Sequence, residues 1–311
     1  MNILFTGGSS FSGYWFVRAL VMAGHSVTCT LRRPLVSYRE SHPRSERVDR
    51  LLQIADVVDG VSFGDEEFRR LIRRGTDVVA HHGATVADYR DPKFNIMLAV
   101  SSNAHGAPEV MEDIVAAGVK CLVLTGTLFE PRVGVGTDVD LPITAYGLAK
   151  GITSELFEWY AREAGVLVRK FIMPNPFGPL EEARFCRYAY KCWMMGNAAV
   201  VKTPLYIRDN IHIDLLALAY ARFVEEAVKG VGPRMIGPSG YVETQGNFAL
   251  RLAREVGDRL ARRCEVILQE HDWVLEPRIR VNAFPADQYV SGWCESDAWD
   301  EVARFAEMEC V

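Results

Sequence analysis

The sequence predicts an α/β protein: a doubly wound parallel sheet followed by a smaller C-terminal lobe. Three observations carry this. Short β-branched runs alternate with longer amphipathic stretches through the first half of the chain. A glycine-rich turn follows the first of those runs at once. The texture then changes at Pro174-Asn175-Pro176-Phe177-Gly178-Pro179, which cannot continue a helix. Alternation with crossover helices calls for a parallel sheet covered on both faces.

In order, Asn2–Thr6 reads as a strand and Gly13–Ala23 as a helix that ends at Gly24, a C-cap residue. Ser26–Leu31 is a second strand. Arg32–Arg50, rich in Arg, Ser and Pro, reads as a long exposed loop. Arg69, Arg70, Arg73 and Arg74 share a helix with Glu66 and Glu67 and read as a solvated face. Asp77–His81, Cys121–Thr125 and Val166–Met173 are further strands, with helical patterns over Asn103–Ala117 and Ala145–Ala164. The later helices are expected at Glu182–Met195, Leu215–Lys229 and Asn247–Arg263. Residues 1–174 form the expected first domain. Residues 175–311 form the expected lobe, with some segments returning to the sheet. The apolar stretch holding Tyr188, Tyr190, Trp193, Met194 and Met195 reads as core or contact surface.

The bulk numbers narrow the classes. With 311 residues and 49% hydrophobic content, the chain can bury one large core and a smaller lobe. A net charge of -5 argues against a nucleic-acid partner, which demands a basic excess. No apolar run approaches the roughly 18 residues that span a bilayer, so no membrane partner is expected. The first residues lack a basic, cleavable leader, and a cytoplasmic location is expected. The seven cysteines are odd in number and lack C-x-x-C spacing, which suits reduced thiols rather than zinc. His81 and His82 are adjacent on a strand and point to opposite faces, so they do not suit one metal ion.

Thr6-Gly7-Gly8-Ser9-Ser10-Phe11-Ser12-Gly13 follows a strand and opens a helix. That context fits a Rossmann-type dinucleotide turn. Glycines permit close backbone approach, and the helix N-terminus offers N–H groups to a pyrophosphate. Gly7, Ser9, Ser10, Phe11 and Gly13 are therefore cofactor-binding candidates. A glycine-rich turn alone is also simply a turn; its position between strand and helix decides. At the end of the second strand, Leu31 stands where an acid would meet the ribose hydroxyl of NAD. Arg32 and Arg33 follow, and an arginine there pairs with the 2′-phosphate of NADP. A solvated basic loop explains the same residues. NADP is favoured slightly over NAD, and both stay open.

Tyr146 and Lys150 lie four residues apart, on one face of a helix. A neighbouring ammonium favours the phenolate, so Tyr146 suits proton transfer. By itself the spacing is common on protein surfaces. Thr127 ends an apolar strand, where its hydroxyl suits either a substrate oxygen or the cap of the next turn. Arg278, in Glu276-Pro277-Arg278-Ile279-Arg280, suits either a phosphate or a salt bridge.

Taken together, these motifs resemble the extended branch of the short-chain dehydrogenase/reductase superfamily, and within it the nucleotide-sugar epimerase/dehydratase family. The resemblance runs over nearly the whole chain. It matches Thr6-Gly7…Gly13, Gly64-Asp65, His81-His82-Gly83-Ala84 and Asn103. It continues through Thr127, Tyr146, Lys150, Asn175 with Gly178-Pro179, and Arg208-Asp209-Asn210-Ile211-His212-Ile213-Asp214. The resemblance implies Tyr146 as acid/base, Lys150 on the nicotinamide ribose and Thr127 on the reacting oxygen. It places Asp65, His82, Gly83, Ala84, Asn103 and Pro174 along the cofactor. Asn175 and Arg208 would hold the substrate phosphates.

Three departures stand out. Ser10 replaces the middle glycine of the turn, and Gly83 replaces an alanine. Leu128-Phe129-Glu130 follows Thr127, where 4,6-dehydratases of the family carry Asp-Glu. This departure disfavours the dehydratase activity. The expected function is an NAD(P)-dependent enzyme acting at a ring carbinol or ketone, at C4, of a nucleotide-activated hexose. A 4-ketoreductase is set slightly ahead of a 4-epimerase with retained NAD. A reductase of a small non-nucleotide ketone and a non-catalytic cofactor-binding protein are further alternatives. A homodimer fits the family habit.

Overall fold

Ile3, Leu4 and Phe5 are buried without alternation, as a strand covered on both faces must be. The computed structural model describes residues 1–40, 42–86, 91, 93–271 and 276–308. Cys310 and Ser41 lie outside them. The described chain divides into two units.

The first unit holds residues 1–133, 140–173 and 217–237. Its strands are β1 (Asn2–Thr6), β2 (Ser26–Leu31), β3 (Asp56–Asp59), β4 (Val78–His81) and β5 (Cys121–Thr127), followed by Val168–Met173 and Met235–Ile236. They form a seven-stranded sheet, with the strand 235–236 at one edge, then 168–173, β5, β4, β1, β2 and β3. Every neighbouring pair is parallel. The chain runs outward from β1 to β3, then returns to β4 on the other side of β1. The β1/β4 seam is thus the switch point, where such sheets open a crevice at their carboxyl ends. Thr6 and His81 are register partners there.

Both faces of this sheet are packed. On one, Phe16 of α1 (Phe11–Met22) stacks on Tyr220 at 4.1 Å and meets Phe171 edge-on at 5.8 Å. On the other, Phe63, Phe68, Ile114 and Phe157 cluster with Leu4, Leu122 and Leu124. Offset and edge-on ring pairs add to what burial alone contributes.

The structure corrects three sequence expectations. Residues 32–50 are not one exposed loop: Leu35–Tyr38 is a 3-10 turn and Arg44–Leu51 is helix α2, which buries Arg47, Val48 and Leu51. The pattern over Asn103–Ala117 is two helices, α4 (Ile96–Asn103) and α5 (Ala107–Ala117), split by Gly106 at φ 59°. The arginines of α3 (Glu66–Ile72) are more than a solvated face. Arg69 Nε donates to Asp113 Oδ2 at 2.5 Å, and Arg73 Nη1 donates to Asp113 Oδ1 at 2.8 Å. They clamp α3 to α5.

The second unit holds residues 134–139, 174–216 and 238–311. Its central strand, Ile207–His212, pairs antiparallel with Tyr241–Thr244 and parallel with Asn175–Phe177 and Ile279–Val281. Asp209 on that strand is fully buried and accepts the Gly240 N–H at 2.8 Å and the Asn282 N–H at 3.0 Å. Burial pushes its carboxyl up to about 6, against those bonds. Phe177, His212, Phe248 and Trp299 pack as an aromatic core. No described helix is long and apolar enough to cross a membrane.

Burial pushes the Asp113 carboxyl up, but the bonds from Arg69 and Arg73 outweigh it and hold it below the usual value. A carboxyl depressed in the folded state contributes stability above its unfolded pKa of about 3.9, and loses it as pH falls through the folded value. Asp113→Asn should therefore lower the melting midpoint at pH 7, and the gap from wild type should narrow progressively as pH falls below about 3.9. Thermal melts at pH 7 and over a series of pH values below that point check this.

Candidate active site

The site is built first from close backbone approach. Gly7 has φ 86°, and a Cβ there would lie 2.8 Å from both Cα and N of Gly83. The chain just past β1 can approach the chain just past β4 because Gly7 has no side chain. A Cβ at Gly13 would collide with the Gly7 carbonyl oxygen, so α1 starts directly against the turn. Glycine is required at such contacts because any side chain would hold the backbones apart.

Ser10, the departure from the family's glycine, is the N-cap of α1. Its Oγ donates to Gly7 O at 2.8 Å, accepts the Gly13 N–H at 3.1 Å and lies 3.1 Å from His82 Nε2. The hydroxyl is thus occupied within the turn. Gly13 N is capped and Tyr14 N bonds Ser10 O, which leaves the Phe11 and Ser12 N–H groups for a ligand. Behind the turn, Arg47 is fully buried and its Nε donates to Ser9 O at 3.1 Å. Arg47 was not anticipated, because an Arg/Ser/Pro-rich stretch carries no local sign of burial.

The two histidines divide the seam. His81 Nε2 lies 2.9 Å from Asn103 O. A carbonyl only accepts, so Nε2 carries the proton and Nδ1 accepts from Thr6 Oγ1 at 2.9 Å. Thr6 Oγ1 in turn accepts the Gly83 N–H at 2.9 Å. The substitution of Gly83 for alanine has a reason here: a Cβ would press within 3.0 Å of Thr6 Oγ1. His82 is buried, its ring 5.6 Å from Phe5 and 5.1 Å from Phe16, with Nε2 3.1 Å from Ser12 Oγ. Burial first, then the Lys150 charge, pushes both histidines down to about 3, so both are neutral at neutral pH.

Asn103 accepts the Thr85 N–H at 2.8 Å on Oδ1, and its buried Nδ2 has no partner among the described residues. Ala84 is half-buried just beyond Gly83. Asp65 stands at the start of α3 and accepts the Ser62 N–H at 2.7 Å. Arg32 and Arg33 are exposed just past β2.

The proton-transfer residues come next. Helix α6 (Ala145–Ala164) begins at Thr144, whose Oγ1 accepts the Gly147 N–H at 3.1 Å. A Cβ at Gly147 would collide with Phe129 O, so this glycine lets α6 close onto the turn that follows β5. Tyr146 is half-buried, with its ring edge-on to Phe94 at 6.2 Å. Lys150 is buried one turn along and donates to Thr125 O at 2.6 Å. Burial pushes its ammonium down to about 8; Glu130 works against this and Lys170 adds to it. Thr127 ends β5, with Oγ1 3.4 Å from the Phe129 N–H. Its backbone N–H donates to Glu130 Oε1 at 2.9 Å.

The remaining candidates lie in the second unit. Pro174 is buried, and the half-buried Asn175 is the register partner of Asn210. Arg208 is engaged inside its unit. Its Nη1 donates to Ile207 O and Pro277 O at 3.0 Å, and its Nη2 to Glu276 at 2.8 Å. Its guanidinium lies 4.4 Å from the Tyr206 ring centroid. Arg278 is exposed, whereas Arg280 is buried and donates to Asp138 O at 3.0 Å.

A parallel sheet with a glycine turn at its switch point, and a Tyr–Lys pair on the helix after β5, define a nucleotide-cofactor oxidoreductase fold. The model of the NAD dependent epimerase/dehydratase family matches residues 3–237, and the chain belongs to that family. No curated protein sequence matches it. Among solved structures, a UDP-glucuronic acid 4-epimerase from Bacillus cereus, with NAD bound, aligns at TM-score 0.76 and 15% identity over 99% of both chains. A UDP-glucose 4-epimerase from Thermotoga maritima aligns at 0.71 and 20% identity over 98% of both. A dTDP-glucose 4,6-dehydratase from Streptomyces venezuelae, with NAD bound, aligns at 0.72 and 16% identity over 98% of this chain and 96% of that one. At these identities the likeness concerns the fold.

A lysine whose folded pKa is depressed costs stability below that pKa, and the cost disappears as pH rises toward the unfolded value. For Lys150 the window runs from about 8 to 10.5. The stability of Lys150→Met relative to wild type should therefore decline across that window. Denaturant titrations at pH 7 and pH 10.5 check the sign.

Proposed function

We propose that this protein is a nucleotide-sugar 4-epimerase that retains NAD through each turnover. The observation that carries this reading is the Tyr146–Lys150 pair on α6, with Lys150 buried on Thr125 O, in a unit whose switch point bears the glycine turn. The turn fits a dinucleotide: its glycines leave a cradle that side chains would fill, and two first-turn N–H groups stay open. Gly7, Ser9, Ser10, Phe11 and Gly13 would hold the pyrophosphate. Asp65, Gly83, Ala84, Asn103 and Pro174 would line the rest, with His82 supporting the turn from behind. When bound, the dinucleotide supplies a reversible hydride acceptor.

The protein's own groups handle the proton. The Lys150 ammonium favours the Tyr146 phenolate, which takes the proton from the ring hydroxyl and returns it. Thr127 donates a hydrogen bond to the same oxygen, where charge develops. Asn175, Arg208 and Arg278 are the proposed phosphate ligands; Arg208 would exchange its bond to Glu276 for one to the substrate. Elimination of a C6 hydroxyl is disfavoured because Glu130 is already held by Lys170 and the Thr127 amide. Solved 4-epimerases share this fold, as the 4,6-dehydratase does, so the choice against elimination rests on Glu130.

A second reading, a 4-ketoreductase using NADPH, is favoured by the exposed Arg32 and Arg33 at the end of β2. Exposed Met97 and Leu98 on α4, which packs against α6, support a homodimer through these helices.

Incubation with UDP-glucose, UDP-glucuronic acid and UDP-N-acetylglucosamine, followed by NMR of the anomeric protons, should show the C4 epimer of one of them. Tyr146→Phe should slow that conversion about 10²–10⁴-fold. Undiminished turnover would remove Tyr146 from the mechanism. NADPH consumption by 4-keto sugar nucleotides, lost in Arg32→Ala, would select the reductase.

A further inference from the structure

Glu130 is buried, and its two oxygens have separate partners. Oε1 accepts the Thr127 N–H at 2.9 Å. Oε2 accepts Lys170 Nζ at 2.6 Å. Lys170 belongs to the strand beside β5, where it is the register partner of Leu124. The pair crosses over Gly126. A Cβ at Gly126 would lie 2.6 Å from Ile172 Cδ1 and 2.8 Å from both Glu130 Oε1 and Lys170 Cε. The glycine in Thr125-Gly126-Thr127 therefore leaves the space the ion pair occupies.

A buried carboxylate persists only when paired and hydrogen-bonded. Glu130 meets both conditions, and it does so beside the two residues read above as working groups. Thr127 hangs from one of its oxygens. Lys150 is anchored on Thr125 O, on the same strand end. Burial drives Lys150 toward its neutral form, Glu130 opposes that, and Lys170 reinforces it more weakly.

We propose that Glu130 is a positioning residue: pinned by Lys170 over Gly126, its carboxylate fixes the Thr127 backbone and supplies the negative charge that keeps Lys150 an ammonium. This rests on the reading of Thr127 and Lys150 as members of the active site, but its test needs neither substrate nor turnover.

The test is an NMR pH titration of the full chain with isotope-labelled lysine side chains, Lys150 being assigned through Lys150→Met. Glu130→Gln keeps an oxygen for the Thr127 amide, removes the charge and replaces the oxygen that accepts from Lys170 with an NH2 group. Its Lys150 midpoint should fall below the wild-type value near 8 by about one pH unit. Glu130→Gln combined with Lys170→Met removes both charges, and its midpoint should fall between the other two. Equal midpoints in all three folded proteins would overturn the proposal. If the single variant does not fold, the double variant decides: a midpoint below wild type supports the proposal, and one equal or higher overturns it. Hydrogen exchange reads the other half. The Thr127 amide should stay protected in Glu130→Gln and exchange at least tenfold faster in Glu130→Ala; equal protection in Glu130→Ala overturns that half. A wild-type protein that binds no dinucleotide would defeat the functional reading and leave the order of midpoints intact.

Discussion

The carboxyl ends of β1 and β4 come into direct contact, Gly7 against Gly83, and the first unit's candidate site is arranged around that approach. It places the turn of β1 over the switch point. It lets Thr6 bridge the Gly83 amide and the His81 ring. Through His81 and Asn103 it fixes where α4 ends. A side chain at Gly7 would press on the Gly83 backbone and separate the strand ends, and one at Gly83 would crowd the Thr6 hydroxyl that links these bonds. Ser10 then closes the turn from within, so the loss of a glycine at that position does not open it.

A second constraint is the handling of buried charge. Lys150, Lys170, Glu130, His81 and His82, on or beside β4, β5 and the strand 168–173, are all buried. Burial neutralises the histidines, whose rings serve as hydrogen-bonding spacers. The other buried groups have strong partners: Lys170 bonds Glu130, and Lys150 bonds a backbone carbonyl. A site for proton transfer benefits from this arrangement, because the electrostatic effect of a charge is larger in a water-poor interior.

Local signals made much of this legible. β1, the glycine turn, β5 and α6 are each a single local stretch of sequence, and their periodicity and spacing carry their meaning. What was missed depends on distant partners. Arg47 reads as solvent-exposed until α2 is seen against Ser9. Asp113 takes its ligands from 40 and 44 residues away. Glu130 and Lys170 are likewise 40 residues apart. β3, Asp56–Asp59, begins and ends on acids and resembles a loop in isolation. Arg208 was anticipated as a phosphate ligand, but its bonds to Glu276 and to neighbouring carbonyls needed the folded second unit to be seen.

The most direct measurement is to denature the purified protein and identify any released dinucleotide by mass and absorbance. An epimerase recycles its cofactor within each turnover, so NAD should be released in near one-to-one amount with the chain. A protein that releases nothing, and that binds neither NAD nor NADP when either is added, cannot be a retained-cofactor epimerase.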